Sequence, residues 1–134
     1  MTYRHPSQAF GSHVLLDVWG VEQAILDDPD ALRRHMSEAA RRGGATVVEE
    51  RFHRFAPQGV SGVVVLAESH VAVHTWPEHG FAALDVFTCG HPDMTRRIAD
   101  HLLASLQPGD VEIRRVDRGV PRRSDAFPAK ARAS

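Results

Sequence analysis

The stretch LAESHVAVHTW (residues 66–76) places four side chains that could do chemistry within seven positions. Glu68, Ser69 and His70 are consecutive, and His74 follows four residues after His70. Apolar runs on both sides of the stretch predict that it lies in a sheet, where residues four apart in one strand share a face. Two histidines on one face of a strand could bind a metal ion.

The residue types alone leave that metal site and a second alternative open. The nearest acidic residue after His74 is Glu78, which lies beyond a proline turn, so a third metal ligand is missing and we predict no metal site. The second alternative pairs Cys89 with His74 as a nucleophile and its general base. Any chain with one cysteine and nine histidines offers such a pair. An isolated cysteine is more often a small buried hydrophobe than a reactive group.

The composition excludes several classes of protein. A chain of 134 residues with 43% hydrophobic and 25% charged residues is typical of one globular domain. A formal net charge of −1 indicates no nucleic-acid partner. No apolar segment is long enough for a membrane span, and the N-terminus lacks the apolar core of a signal peptide, so we predict a cytoplasmic protein. One cysteine allows neither an intrachain disulfide nor a four-cysteine zinc site.

Lysine is almost absent from the sequence. Fifteen of the sixteen basic residues are arginine, and the only lysine is Lys130, close to the C-terminus. Enzymes that capture a carbonyl or an amine as a Schiff base often use a desolvated lysine. Schiff-base chemistry in this chain would therefore need a carbonyl group from another source.

Five motifs stand in order between residues 51 and 90: FHRF, P-x-GVSG, ESH, HTWPE-x-G and D-x-FTCG. Together they strongly resemble the prokaryotic S-adenosylmethionine decarboxylase proenzymes. The segments LDD (26–28) and GAT (44–46) extend the resemblance toward the N-terminus, and VEIRRVDRG extends it to residue 119. ESH alone would carry no weight, but five motifs in this order and spacing are highly specific.

The resemblance implies that the chain cuts itself between Glu68 and Ser69. Ser69 would attack the Glu68 carbonyl and convert the amide into an ester. His74 would then assist removal of the Ser69 α-proton, for which a base of near-neutral pKa is suited, and Ser61 would help to orient the step. The upstream chain would leave with Glu68 as its new C-terminus. Residue 69 would become a pyruvoyl group, the cofactor of the enzyme.

The resemblance also implies how the cut protein would act. The pyruvoyl ketone would supply the carbonyl that an external aldehyde cofactor would otherwise bring. It would form an imine with the amine of S-adenosylmethionine and accept electrons as carbon dioxide leaves. Cys89 would return a proton to the substrate carbon. Phe55 and Trp76 would lie near the nucleoside, and Glu78 would bind the ribose. The product would be decarboxylated S-adenosylmethionine, the aminopropyl donor for spermidine biosynthesis.

Two alternatives remain at this point. The same Ser69, His74 and Cys89 chemistry acts at an α-carbon and does not itself require adenosine, so the substrate could be another amino acid such as arginine or ornithine. The chain could also be a non-catalytic homologue that binds a small molecule or a partner. The presence of all three residues together disfavours this last interpretation.

The surrounding pattern predicts the order β-α-β-β-β-β-α-β. The strands are predicted at residues 13–19, 45–55, 63–69, 70–76, 81–89 and 110–116, and the helices at residues 29–42 and 93–106. This order predicts an α+β two-layer sandwich, one mainly antiparallel sheet with both helices on one face. The other face would need cover, which a homo-oligomer forming a larger α/β sandwich would supply.

We predict a single domain over residues 1–119, cut into chains 1–68 and 69–134, with a flexible tail from 120 to 134. The resemblance implies a homodimer of cleaved protomers, or a higher oligomer, with active sites near the subunit junction.

One feature conflicts with a regular strand. Ser69 and His74 are an odd number of residues apart, so a regular strand would place them on opposite faces. A bulge or a sharp turn at residues 68–69 would resolve the conflict.

Overall fold

A computed structural model describes residues 9–89 and 91–122. These residues form six β-strands and three α-helices, with one 3₁₀ turn before β5. The strands are β1 (Gly11–Trp19), β2 (Val47–Arg54), β3 (Val60–Leu66), β4 (Ser69–Trp76), β5 (Phe81–Thr88) and β6 (Asp110–Arg118). The helices are α1 (Gln23–Leu26), α2 (Pro29–Arg42) and α3 (Pro92–Leu106), and the 3₁₀ turn is Pro77–His79.

The ends of α2 follow from its sequence. The Asp28 carboxylate accepts hydrogen bonds from the backbone N–H groups of Asp30 and Ala31, at 3.0 and 3.2 Å, and so satisfies two donors that the first turn leaves free. Pro29 occupies the first helical position, where its missing N–H costs nothing. The helix ends before Gly43. Both ends agree with the prediction.

The six strands form one sheet in the order β2-β3-β4-β5-β1-β6, and every neighbouring pair is antiparallel. One face of the sheet packs against α2 and α3. The core between the two layers consists of fully buried aliphatic side chains. They include Leu16, Val64, Val71, Val73 and Val86 from the strands and Leu32, Met36, Ile98 and Leu102 from the helices. The predicted two-layer α+β fold is confirmed.

The opposite face of the sheet has no cover among the described residues. Along β1 and β5, side chains alternate between buried ones under the helices and partly exposed ones on the other side. We call this second surface the open face. Its central side chains are His13, Leu15, Asp17, Ser61, Val63, Val65, His70, Ala72, His74, Trp76, Phe81, Ala83, Asp85 and Phe87. Most of them are apolar or aromatic.

The predicted strand over residues 63–69 is wrong at both ends, since β3 already begins at Val60. β3 stops at Leu66, Ala67 and Glu68 form a two-residue turn, and Ser69 begins β4 opposite Leu66. Tight hairpin turns usually place a positive φ on glycine or asparagine within the turn. Here Ser69 takes the positive φ, so the residue types gave no turn signal. The pairings of β4 with β3 and β5 show no bulge, so the chain has a sharp turn instead. This turn precedes Ser69 and does not change the odd spacing between Ser69 and His74 within β4.

Other differences are small. β1 and β6 extend two residues beyond the predictions at their outer ends, and β2 is shorter than predicted. Helix α1 and the 3₁₀ turn were not predicted, because each is only about one turn long. Residues 120–122 are neither helix nor strand, and the rest of the predicted tail lies outside the described residues. None of the described helices combines the length and the apolar character needed to cross a bilayer.

Candidate active site

The Glu68–Ser69 peptide is held by hydrogen bonds from two sides. The backbone N–H of Cys89 donates to the carbonyl oxygen of Glu68 at 2.9 Å. On the other side, the N–H of Thr46 donates to the Glu68 carboxylate at 3.1 Å, and the N–H of Ala67 donates to the Thr46 carbonyl at 2.9 Å. Cys89 follows β5 directly, and Thr46 precedes β2. The sheet therefore fixes the carbonyl that the predicted cut requires.

The backbone of Ser69 is strained. Its φ is +150°, in a region that is essentially restricted to glycine. Such a conformation costs a non-glycine residue about 1–3 kcal/mol. The strain lies at the predicted cut, and the Cys89 N–H polarises the adjacent carbonyl. An amide that is both strained and polarised is a better target for a hydroxyl than an ordinary planar peptide.

Ser61 and His74 form a second group on the open face. They are direct partners across β3 and β4, and the Ser61 hydroxyl lies 2.8 Å from Nδ1 of His74. Both side chains line a cavity of about 330 Å³. The predicted substrate residues Phe55, Trp76 and Glu78 line the same cavity. The structure thus brings together five of the residues that the motifs singled out.

A second cavity of about 390 Å³ adjoins Trp76. Its other walls are Trp19, His79 and Phe81. The ring centroids of Trp19 and Trp76 lie 5.2 and 5.3 Å from that of Phe81. Sequence analysis missed Trp19 because it is at the end of β1, far from the motifs. Trp19 lies two residues after Asp17 in β1, and this spacing is the signal that could have placed it on the open face.

The two groups do not meet within one chain. Ser69 opens β4, and His74 lies five residues further along the same strand. At a rise of about 3.3 Å per residue, this separation is about 17 Å. Proton transfer requires contact at hydrogen-bond distance. His74 therefore cannot reach the α-proton of Ser69 in the same protomer.

An ion pair holds the loop that carries Phe55. The Asp27 carboxylate accepts hydrogen bonds from the Arg54 guanidinium at 2.7 Å and from the Gly59 N–H at 2.9 Å. The Arg54 hydrogen bond first, and the Gly59 hydrogen bond second, hold the pKa of Asp27 below its ordinary value. Arg54 also donates to the Pro57 carbonyl at 3.2 Å. Asp27 thus binds Arg54 and Gly59, the residues at the two ends of the β2–β3 loop.

A third cluster on the open face was not predicted. Nε2 of His13 and Nε2 of His70 lie 2.9 and 2.8 Å from the same oxygen of Asp85. Among the described residues this is the one group of three side chains with ligand atoms close enough for a metal ion, all within 4.8 Å of one another. His70 therefore shares a cluster with His13 and not with His74. The sequence could not show this, because the contact depends on the pairing of β1, β5 and β4.

Comparison with known proteins identifies the family. A family model described as S-adenosylmethionine decarboxylase matches residues 12–119. The chain belongs to the S-adenosylmethionine decarboxylase family. The resemblance that the five motifs indicated is confirmed.

Several S-adenosylmethionine decarboxylase proenzymes are similar to this family member over most of its length. The protein from Moorella thermoacetica is 46% identical over 113 residues, which cover 84% of this chain and 90% of the relative. The protein from Methanococcus vannielii is 43% identical over 110 residues, which cover 82% and 90%. The crystal structure of the adenosylmethionine decarboxylase from Aquifex aeolicus superposes with a TM-score of 0.81 at 34% identity, covering 87% of this chain and 96% of that one.

Proposed function

We propose that this protein decarboxylates S-adenosylmethionine by means of a pyruvoyl group that it makes from its own Ser69. Membership of the family supports the reaction. The observation that carries the proposal is the Glu68–Ser69 peptide, which is strained at Ser69 and hydrogen-bonded at its carbonyl by Cys89. A chain that only bound a ligand would have no need to hold a serine in a glycine-like conformation.

Self-cutting begins with attack of the Ser69 hydroxyl on the Glu68 carbonyl carbon. Charge develops on the carbonyl oxygen, and the Cys89 N–H already points at that atom. The amide nitrogen takes a proton and leaves, so an ester replaces the amide and the strained φ is relieved. A base then removes the Ser69 α-proton, and the Glu68 carboxylate departs as the leaving group. The resulting dehydroalanine takes up water and releases ammonia.

His74 is the base for the α-proton in this proposal. When the Ser61 oxygen accepts the Nδ1–H of His74, Nε2 keeps its lone pair and can take a proton. In this tautomer Nε2 is the atom that acts as the base.

A second copy of the chain completes the site. Within one protomer, His74 is about 17 Å from Ser69 along β4. If two open faces pack together with their β4 strands antiparallel, His74 of the partner subunit comes to the Ser69 end of the first. The apolar side chains of the open face, with Val65 and Trp76 exposed by 37% and 42%, support such an interface. We propose a homodimer with two composite sites.

The cut protein then binds and protonates its substrate. When formed, the pyruvoyl group supplies a ketone that takes up the substrate amine and accepts the electrons of the breaking bond. Cys89, which is exposed and follows Thr88 at the Ser69 end of the sheet, returns a proton to the substrate carbon. Phe55 and Trp76 offer aromatic faces to the adenine and the sulfonium, and Glu78 accepts from the ribose hydroxyls.

Release of labelled carbon dioxide tests the proposed reaction. Purified protein is incubated separately with carboxyl-labelled S-adenosylmethionine, arginine and ornithine. We expect release from S-adenosylmethionine only, and none from the Ser69→Ala variant. Release of carbon dioxide from arginine or ornithine would show that this amino acid, and not S-adenosylmethionine, is the substrate. No release from any of the three by fully cut protein would favour the non-catalytic alternative.

A further inference from the structure

Four polar side chains form a continuous hydrogen-bonded network across four strands of the open face. Arg118 of β6 lies 3.0 Å from Nδ1 of His13 on β1, and Nε2 of His13 lies 2.9 Å from Asp85 on β5. Nε2 of His70 on β4 lies 2.8 Å from the same Asp85 oxygen. The network ends one residue from Ser69. The self-cutting chemistry uses none of these four side chains.

The proton positions favour a network held by hydrogen bonds alone over a metal site. A guanidinium can only donate, so Nδ1 of His13 accepts from Arg118, and Nε2 carries the hydrogen that His13 donates to Asp85. A metal ion on Nε2 of His13 would move that hydrogen to Nδ1, where it would face the Arg118 donor. His70 likewise donates from Nε2 to Asp85. Both ring nitrogens of His13 and Nε2 of His70 thus have hydrogen-bond partners without an ion.

The network lies where it could anchor the new chain terminus once the chain is cut. The proposed cut removes the turn at Ala67–Glu68 that joins β3 to β4, so residue 69 becomes the first residue of a strand in the middle of the sheet. Chain termini fray unless they are tied down. The His70–Asp85 hydrogen bond is the first side-chain hydrogen bond after the cut. His13, itself bonded to Arg118, holds Asp85 from the other side.

We propose that His70 and Asp85 are positioning residues, which hold the new chain end and its ketone in place for decarboxylation. The inference rests on the proposed function. Only a planar amide with one rotatable bond on each side separates the ketone carbon from Cα of His70, so movement of His70 passes directly to the ketone. Misplacement of a reacting group by about 1 Å can cost about a hundredfold in rate. We call the His70–Asp85 hydrogen bond the tether. The tether acts after the chain is cut and takes no part in the cutting step.

The first test separates cutting from turnover. We expect His70→Ala and Asp85→Ala to be cut as completely as wild type, while kcat per carbonyl group, counted with a carbonyl reagent, falls by about tenfold or more. KM changes less than kcat, because the substrate cavity around Trp76 is untouched. The double variant loses no more than either single variant, since the two residues act as one unit.

Conservative variants show whether the hydrogen bond matters. His70→Gln keeps an N–H donor and Asp85→Asn keeps an acceptor oxygen, so we expect each to recover most of the kcat that the alanine variants lose. They also serve if an alanine variant does not fold. His101→Ala, on α3 across the sheet, is the matched control and should turn over like wild type. Unchanged kcat per carbonyl group in the alanine variants, or loss of cutting instead, would overturn the tether.

Hydrogen exchange of the amides of residues 70–73 gives a second readout. In cut protein, His70→Ala should speed exchange by several-fold. In the uncut Ser69→Ala background the turn still holds the strand, so the same change should have little effect. Equal effects in both backgrounds would show a purely structural role and contradict the tether. Wild-type protein that never cuts would overturn the proposed function, and the tether with it.

Discussion

At the scale of single residues, Cys89 contributes two separate groups to the proposed mechanism. Its backbone N–H donates to the Glu68 carbonyl, and its thiol is the proposed proton donor to the substrate. The first group acts during cutting and the second during turnover. A side-chain substitution removes only the second, so the two roles can be tested independently.

We expect Cys89→Ala to cut itself and then fail as a decarboxylase. The N–H that stabilises the charge on Glu68 remains, so cutting proceeds at close to the wild-type rate. Loss of the proton donor lowers kcat by about a hundredfold or more. Gel analysis reports the cut, and carbon dioxide release reports turnover. An uncut Cys89→Ala protein would show that the thiol, and not the backbone, drives processing.

His74→Ala should stop processing after the acyl shift. The ester forms because attack by Ser69 does not need the α-proton to leave, but elimination slows by about a hundredfold or more without its base. Hydroxylamine cleaves esters and leaves amides intact, so it should split His74→Ala between residues 68 and 69. The Ser69→Ala variant is the matched control and should resist hydroxylamine. Wild-type cutting by His74→Ala would remove this residue from the mechanism.

At the scale of elements, the β2–β3 loop depends on one carboxylate. Asp27 binds Arg54 and the Gly59 N–H, and so fixes the loop whose Phe55 lines the substrate cavity. Because folding lowers the pKa of Asp27, this carboxylate stabilises the folded state at pH values above its unfolded pKa. That contribution is lost as the pH falls through the lowered, folded pKa.

Asp27→Asn should therefore flatten the acid side of the stability curve. Above the ordinary Asp27 pKa of 3.8 the variant is less stable than wild type, because the ion pair with Arg54 is gone. The difference shrinks as the pH falls below 3.8 and disappears below the lowered, folded pKa. Chemical denaturation at several pH values measures the difference. A constant difference at all pH values would show that the titration of Asp27 does not contribute.

Most elements could be predicted from the sequence, and the exceptions have physical reasons. Periodicity and capping residues gave both long helices and the approximate positions of all six strands. The turn at Ala67–Glu68 lacked glycine and asparagine, because the unusual φ falls on Ser69, where the proposed chemistry requires a hydroxyl. The five motifs supplied the side chains that share the cavity with His74. They could not supply His13 or Arg118, whose contacts arise only when four strands are in register.

At the scale of the whole molecule, one protomer holds only half of each proposed site. The Ser69 end and the His74 end of β4 lie about 17 Å apart, and the open face between them is largely apolar. Packing of two open faces would bury this surface and bring the two ends together. The proposed dimer is therefore required for chemistry as well as for burial.

Co-expression of two inactive variants tests the composite site. Ser69→Ala cannot be cut, and His74→Ala lacks the base. In a mixed dimer, His74 of the Ser69→Ala chain faces the intact Ser69 of the His74→Ala chain, so one site of two is complete. We expect differently tagged chains to show cutting of the His74→Ala chain only. If neither chain is cut in mixed dimers, the two residues must act within one protomer.

The intact mass of purified wild-type protein, measured beside Ser69→Ala, shows whether the chain cuts itself at Ser69 and converts that residue to a pyruvoyl group. We expect two chains, 1–68 and 69–134, and the second should be lighter by one ammonia than simple hydrolysis would leave it. We also expect one full-length chain for Ser69→Ala. A folded wild-type protein that stays in one piece with an unmodified serine at residue 69, or a Ser69→Ala variant cut at the same bond, would contradict the proposed self-cutting.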